Sequence, residues 1–247
     1  VAYFKTLGLV LKNQNYKEAD KLLTVYTREQ GKIPAIAKGV RKVKSSIRGG
    51  IQLFSHSEFV FYRGRSLDTV TQCAVIEPFA QLRSDLDRFA FAAYLAELTV
   101  EAVPEREANP ELFYLLLTCL HLLVNHDPRL VTRLYEIRLM NILGYAPELG
   151  CCLGCGENNF RKMYFSLQEV GLVCERCAGD YAPLMPVSGG AAANLRALSS
   201  MELNKCGRLR LSPSLQQELS ILLGRYVELQ LERKFKSRSF LEDLSRV

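Results

Sequence analysis

The chain has 247 residues, 48% hydrophobic and 23% charged, a composition that fits one to three folded globular domains and excludes global disorder. The longest stretches without Asp, Glu, Lys or Arg, 112–126 and 181–195, are too short to span a bilayer as a helix, and the apolar run Leu7–Leu11 between Lys5 and Lys12 is too short for a signal peptide. The net charge of +6 comes from the first third: residues 1–80 hold 13 Lys and Arg against 6 Asp and Glu, a net +7, and the remainder nets −1.

Residues 1–80 read as all-β. Segments 3–12, 21–28, 32–40, 53–62 and 67–76 are rich in β-branched and aromatic residues. Turn signals separate them at Asn13–Asn15, Glu29-Gln30-Gly31, Gly49-Gly50 and Arg63-Gly64-Arg65-Ser66. In 53–62 one parity carries Phe59 and Phe61, and the other carries Phe54, His56, Glu58 and Tyr62. Five short strands in about eighty residues predict a small closed barrel, with the five-stranded OB fold the economical choice. Lys38, Arg41, Lys42, Lys44 and Arg48 fall within eleven residues that hold no acid. They read as a phosphate-binding loop, against the plainer reading of a solvated surface loop, and Arg63 and Arg65 add cations on another turn. The chain has no Trp, so any base stacking falls to Tyr and Phe. Tyr62, beside Arg63, is one candidate, although strand aromatics more often belong to the core.

After Glu77-Pro78 the pattern turns helical. Apolar residues recur at helical spacing over 85–103. Asn109-Pro110 and Asp127-Pro128 each pair an N-cap with proline at the first helical position, opening helices over 110–125 and 128–143, the latter ending at Gly144. A shorter helix is expected over 188–204 from Ser188, and Ser212-Pro213 opens a long one to 235. The expected organisation is a phosphate-binding barrel over 1–80, a helical domain over 81–150 and 183–247, and an inserted module over 151–182. Arg233, Lys234, Lys236 and Arg238 form a second basic cluster. It reads equally as an extension of a DNA path or as cations suited to a helix C-terminus.

The inserted module carries the sharpest chemical signal. Cys152-Leu153-Gly154-Cys155 is followed eighteen residues later by Cys174-Glu175-Arg176-Cys177. Two Cys-x-x-Cys knuckles supply four thiolates to one tetrahedral zinc, joined here by an expected hairpin of 162–167 and 170–173, with Gly156 and Gly171 in tight backbone near the knuckles. Four sulfurs leave no open position, so the expected zinc is structural. Cys151 adjoins Cys152 and leaves the ligand register between them open. Cys73, Cys119 and Cys206 read as small core residues, and the clustering of the others argues for a reducing, cytoplasmic setting.

No enzyme chemistry stands out. His56-Ser57-Glu58 is an H-x-E triplet like that of zinc deaminases, but no proline precedes Cys152, the second knuckle would have no task, and the triplet lies in an alternating strand. His121 and His126 read as solvent or cap contacts. Neither a phosphate-binding G-x-x-x-x-G-K-[ST] nor a G-x-G-x-x-G is present, and no small-molecule substrate is expected.

An ordered set of stretches spans the chain: Tyr16-Lys17-Glu18-Ala19-Asp20, Thr27-Arg28-Glu29-Gln30-Gly31-Lys32-Ile33, Ala37-Lys38-Gly39-Val40-Arg41 with the basic loop to Gly49, Leu143-Gly144-Tyr145-Ala146-Pro147-Glu148-Leu149, Gly171-Leu172-Val173, and Lys236-Ser237-Arg238-Ser239-Phe240-Leu241. By this set the chain resembles the bacterial RecO family of recombination mediators. The resemblance implies binding to single- and double-stranded DNA, annealing of complementary strands and, with RecR, loading of RecA onto strands coated by single-stranded DNA-binding protein. It also implies a site of action in the bacterial nucleoid, no membrane association and no catalysis. A second reading of the residues is a protein-interaction adaptor whose DNA contacts are secondary.

Overall fold

The computed structural model describes residues 3–42, 45–159 and 161–244. It combines an N-terminal five-stranded sheet with helices in the remainder of the chain. Contacts divide the chain into two compact units. One holds the residues up to Asn125 and those from Phe235 onward, and the other runs from His126 to Lys234.

In the first unit, β1 (Tyr3–Tyr16), β2 (Asp20–Thr27), β3 (Gly31–Ala37), β4 (His56–Tyr62) and β5 (Asp68–Glu77) close in the order β1-β2-β3-β5-β4, with β1 also paired to β4. Closure forces β1 to serve two neighbours: Tyr3–Leu9 pair with β4, and Gly8–Tyr16 pair with β2. For this reason the turn expected at Asn13–Asn15 is absent. β1 continues through those residues, with a register shift between Val10 and Lys12, and turns at Lys17–Ala19. The seam between β3 and β5 is parallel and pairs only Ala35 with Asp68 and Ile36 with Thr69. Side chains alternate as the pleat requires: Phe59 and Phe61 are fully buried inside, and Glu58 and Tyr62 face out.

The strand expected over 53–62 starts only at His56, because Phe54 adopts a left-handed backbone (φ 69°) and turns its ring onto Phe89 of α2 (Leu86–Ala102). α3 (Pro110–Asn125) lays Phe113 against Tyr26 and His56. A short helix, α1 (Ala80–Ser84), precedes α2. The linker between α2 and α3 docks on the barrel end: Arg106 N–H donates to Lys32 O, and a side chain at Gly31 (φ 65°) would meet Glu107 O at 2.0 Å. Asp68 is fully buried, receives both terminal nitrogens of Arg106 at 3.1 and 3.2 Å, and accepts from the Gly64 amide at 3.0 Å.

The second unit contains α4 (Pro128–Ile142), a three-stranded sheet, α5 (Gly189–Ser200) and α6 (Pro213–Gln230). The expected N-caps are in place. Asn109, Asp127, Ser188 and Ser212 accept from Leu112, Arg129, Ala191 and Leu215 amides at 2.9–3.3 Å. Two helices end earlier than the sequence suggests. α5 stops at Ser200 and a 3₁₀ segment, Leu203–Arg208, follows. α6 stops at Gln230, Glu232 turns left-handed (φ 52°), and the chain re-enters the first unit as α7 (Lys236–Leu244). Glu97 of α2 caps α7 by accepting from the Lys236 and Ser237 amides at 3.2 and 2.9 Å.

Replacing Arg106 by Met is expected to destabilise the protein by about 3–5 kcal/mol, because the buried Asp68 carboxylate loses its cation. Asp68→Asn in the same background should recover part of that loss. Urea unfolding of the two variants checks this.

Candidate metal centre and nucleic-acid surface

The metal site is built on a hairpin. β6 (Met163–Ser166) and β7 (Gly171–Cys174) pair antiparallel, as expected, and β8 (Leu184–Val187) joins on the other side of β6. β7 delivers Cys174 directly. The first knuckle is tied to β7 where the Leu153 amide donates to Leu172 O at 2.9 Å, and Gly156 (φ 71°) closes its turn onto Cys152 O. Gly154 leaves room for the second knuckle, since a Cβ there would sit 3.0 Å from both Cβ and Sγ of Cys177. Gly171 does not turn the chain. Its lack of a side chain lets Leu153 and Glu148 O approach to about 3 Å of where a Cβ would be.

The sulfurs of Cys152, Cys155, Cys174 and Cys177 lie within 4.8 Å of one another, so one metal ion can be held by all four. Cys155 and Cys174 Sγ are 3.8 Å apart. Metal–sulfur bonds of about 2.3 Å in a tetrahedron require a separation of about 3.8 Å. Cys151 lies outside the cluster, which contains no histidine among the described residues. The thiols also have the electrostatics of a cation site. At Cys152 burial opposes ionisation, yet hydrogen bonds from the Cys174, Cys155 and Gly154 amides prevail and bring it down to about 6. At Cys177 the Cys174 sulfur, then burial, pushes the thiol up to about 12. Four sulfurs this close ionise together only around a positive charge. Cys152 and Cys174 are buried with Val173 in a local apolar cluster against which Leu153, Tyr181 and Leu184 pack, so the sulfurs sit within a small core of their own.

The cations predicted for DNA fall in two places. Lys38, Arg41, Lys42 and Arg48 are all exposed on the segment joining β3 to β4, and Lys44 lies outside the described residues. This segment is seated rather than loose at its anchor points. Val40 and Ile51 are buried in the barrel core, and Ile47 packs against it. The Gly39 amide donates to Asp20 Oδ1 at 2.7 Å, the Arg41 amide to Ala19 O at 2.9 Å, and Arg48 Nη2 to Arg41 O at 2.9 Å. Arg41 also reaches Lys17 O, which places Lys17 in the same patch. The sequence reading missed Lys17 because only the position of the β1–β2 turn brings it there.

Arg63 and Arg65 are exposed on the β4–β5 turn, at the other end of the barrel. Arg63 donates to Gln30 beyond the end of β2, whereas Arg41 is tied to residues before its start. Eight residues of β2 therefore separate the two groups, about 23 Å of strand. Of the C-terminal basic residues, Arg233 and Lys234 follow the end of α6, and Lys236 and Arg238 lie in the first turn of α7, where the helix dipole disfavours cations. His56 is buried in β4 against Phe113 and belongs to the sheet's packing.

Metal analysis of the purified chain is expected to find one divalent ion per molecule, lost in Cys152→Ser/Cys174→Ser. Hydrogen exchange in that variant should speed up within 151–187 and stay unchanged in the barrel strands.

No helix among the described residues is long and apolar enough to cross a membrane. Two family models cover nearly the whole chain, Recombination protein O N terminal over residues 1–79 and Recombination protein O C terminal over 83–239. DNA repair protein RecO of Acetivibrio thermocellus is 35% identical over 247 residues, 99% of this chain and 98% of its own. The proteins of the same name from Desulforamulus reducens and Heliobacterium modesticaldum are 39% and 40% identical, covering 98% of this chain in each case and 94% and 90% of their own. With its basic N-terminal sheet, its helical remainder and its four-cysteine cluster, the chain belongs to the RecO family of DNA repair and recombination proteins.

Proposed function

We propose that this chain is a recombination mediator that holds DNA by its phosphates on an OB-type barrel, anneals complementary strands and, with RecR, helps load RecA onto strands coated by single-stranded DNA-binding protein. The observation that carries the reading is the seated basic segment: exposed Lys38, Arg41, Lys42 and Arg48 on a backbone anchored by Val40, Ile47 and Ile51. Annealing brings two polyanions together, and cations held in place reduce their repulsion without first having to be ordered. Lys44 belongs to the same run, and Arg63 and Arg65 offer a second contact region for single- or double-stranded DNA.

In this reading residues 1–80 carry the DNA contacts, 81–150 and 183–247 form the helical domain, and 151–182 the metal module. The ion is zinc, held by Cys152, Cys155, Cys174 and Cys177. Thiolate ligands and tetrahedral spacing favour it, and a closed set of four sulfurs gives it a structural role. The protein works in the bacterial cytoplasm at the nucleoid and performs no chemistry on its substrate.

Fluorescence anisotropy of a labelled mixed-sequence single strand across a salt series tests the reading. Contact with about five phosphates predicts a log–log slope of roughly −3 to −4. Arg41→Glu/Lys42→Glu is expected to weaken binding to unrelated sequences alike and to flatten the slope. Unchanged affinity and slope in that variant would remove the basic segment from the DNA site.

A further inference from the structure

The outer faces of β1 and β4 are treated differently at their two ends. At one end Leu9 and its partner His56 are buried, with Phe113 of α3 against His56. At the other end the helices no longer cover the sheet, and the paired outward residues are Tyr3 and Tyr62. Tyr3 is 56% exposed and Tyr62 43% exposed, whereas the inward Phe59 and Phe61 on β4 are 0% exposed. The two tyrosine rings meet edge to face, with centroids 5.0 Å apart and planes at 68°. β5 widens the same surface, placing Thr69 beside Tyr62 and Gln72 beside Val60.

The surroundings are cationic. Arg63 follows Tyr62 and lies over the Phe4 ring, 5.0 Å from its centroid, while donating to Gln30 at 2.8 Å. Arg65 is exposed on the same turn, which the buried Asp68 holds through the Gly64 amide. The nearby acids are already engaged: Glu58 pairs with Lys5 at 2.8 Å, and Glu29 pairs with Arg28.

We propose that Tyr3 and Tyr62 form a stacking platform for the unpaired bases of a nucleic acid strand whose phosphates run toward Arg63 and Arg65. The platform rests on the reading that the barrel binds single strands and gives that binding a component that phosphate contact alone lacks. Aromatic rings standing out from a strand leave apolar surface unfavourably in water, and base stacking covers it regardless of sequence. The guanidinium of Arg63, held by Gln30 and the Phe4 ring, and the exposed Arg65 select a polyanion over an uncharged apolar partner. Two contact regions about 23 Å apart along the barrel, one reading phosphates and one reading bases, also give room for a strand to be held without covering all of its pairing edges.

The experiment compares binding of a labelled oligothymidine with binding of an abasic strand of equal length, over a salt series, for the full chain. The wild type is expected to prefer the base-bearing strand by at least about fivefold. Tyr3→Leu/Tyr62→Leu should lose that preference while keeping the wild-type affinity for the abasic strand and the wild-type salt slope. Tyr3→Phe/Tyr62→Phe should retain the preference. An unchanged preference in the leucine variant overturns the platform and leaves the ring pair to a protein partner. A parallel loss for both strands overturns it too, making the rings structural. Absence of any preference in a wild type that binds both strands overturns the platform alone, whereas a wild type that binds neither strand overturns the underlying reading as well.

Discussion

Val40, Ile47 and Ile51 reach into the barrel from the segment joining β3 to β4, and this packing decides what the basic residues between them can do. Burying an aliphatic side chain of this size stabilises by about 1.5–3 kcal/mol. Two such buried anchors, Val40 and Ile51, with the partly buried Ile47 beside them, oppose the chain entropy of the segment. The fit is close enough to restrict sequence elsewhere. At Gly50 a Cβ would lie 2.1 Å from Cys73 Sγ, and Ser57 Oγ donates to Gly50 O, so the backbone passes only as glycine. The segment also helps a barrel whose β3–β5 seam pairs just two residues on each side, and the buried carboxylate of Asp68, at that seam, is held by the partly exposed Arg106.

The metal module solves a different problem. Between Cys152 and Cys177 the buried apolar side chains beside the cysteines are Phe165, Leu167, Leu172 and Val173, and an ion held by the four sulfurs would add a closing interaction to this short segment. An ion held by all four sulfurs would have no open coordination position for water. In the proposed reading binding and bracing are separated: the exposed cations of the barrel would act on the ligand, and an ion held by the four sulfurs would act on the fold. The first unit is further closed by its own C-terminal segment, where Phe235 packs against Tyr94 and Glu97 caps α7.

Features written in adjacent residues were legible from the sequence. The N-caps at Asn109, Asp127, Ser188 and Ser212 announce themselves by side chain and spacing, and the two cysteine knuckles and their hairpin follow from a repeat within one short stretch. What escaped depends on partners far along the chain. β1 runs through Asn13–Asn15 because β2 waits beside it, and a local turn signal loses to continued pairing from Asn13 to Tyr16. The helix opened by Ser212 was read to 235 because nothing in its composition shows that Glu232 turns left-handed and that Glu97, more than a hundred residues earlier, caps a new helix. The basic run was visible as charge, but the packing on either side of it was not, since Val40, Ile47 and Ile51 are ordinary aliphatics until the barrel is built. Tyr62 was visible as an aromatic beside arginine, yet only the pairing of β1 with β4 shows Tyr3 across from it and both rings in solvent.

The central claim is that the seated basic segment is where the chain holds DNA. Lysine acetylation footprinting read by mass spectrometry, with and without a saturating single strand at low salt, tests it residue by residue on the unaltered protein. The account predicts strong protection of Lys38 and Lys42, with Lys162 and Lys205 of the second unit acetylated at the same rate in both states. Protection confined to lysines of the second unit, with Lys38 and Lys42 as reactive as in the free protein, would contradict it.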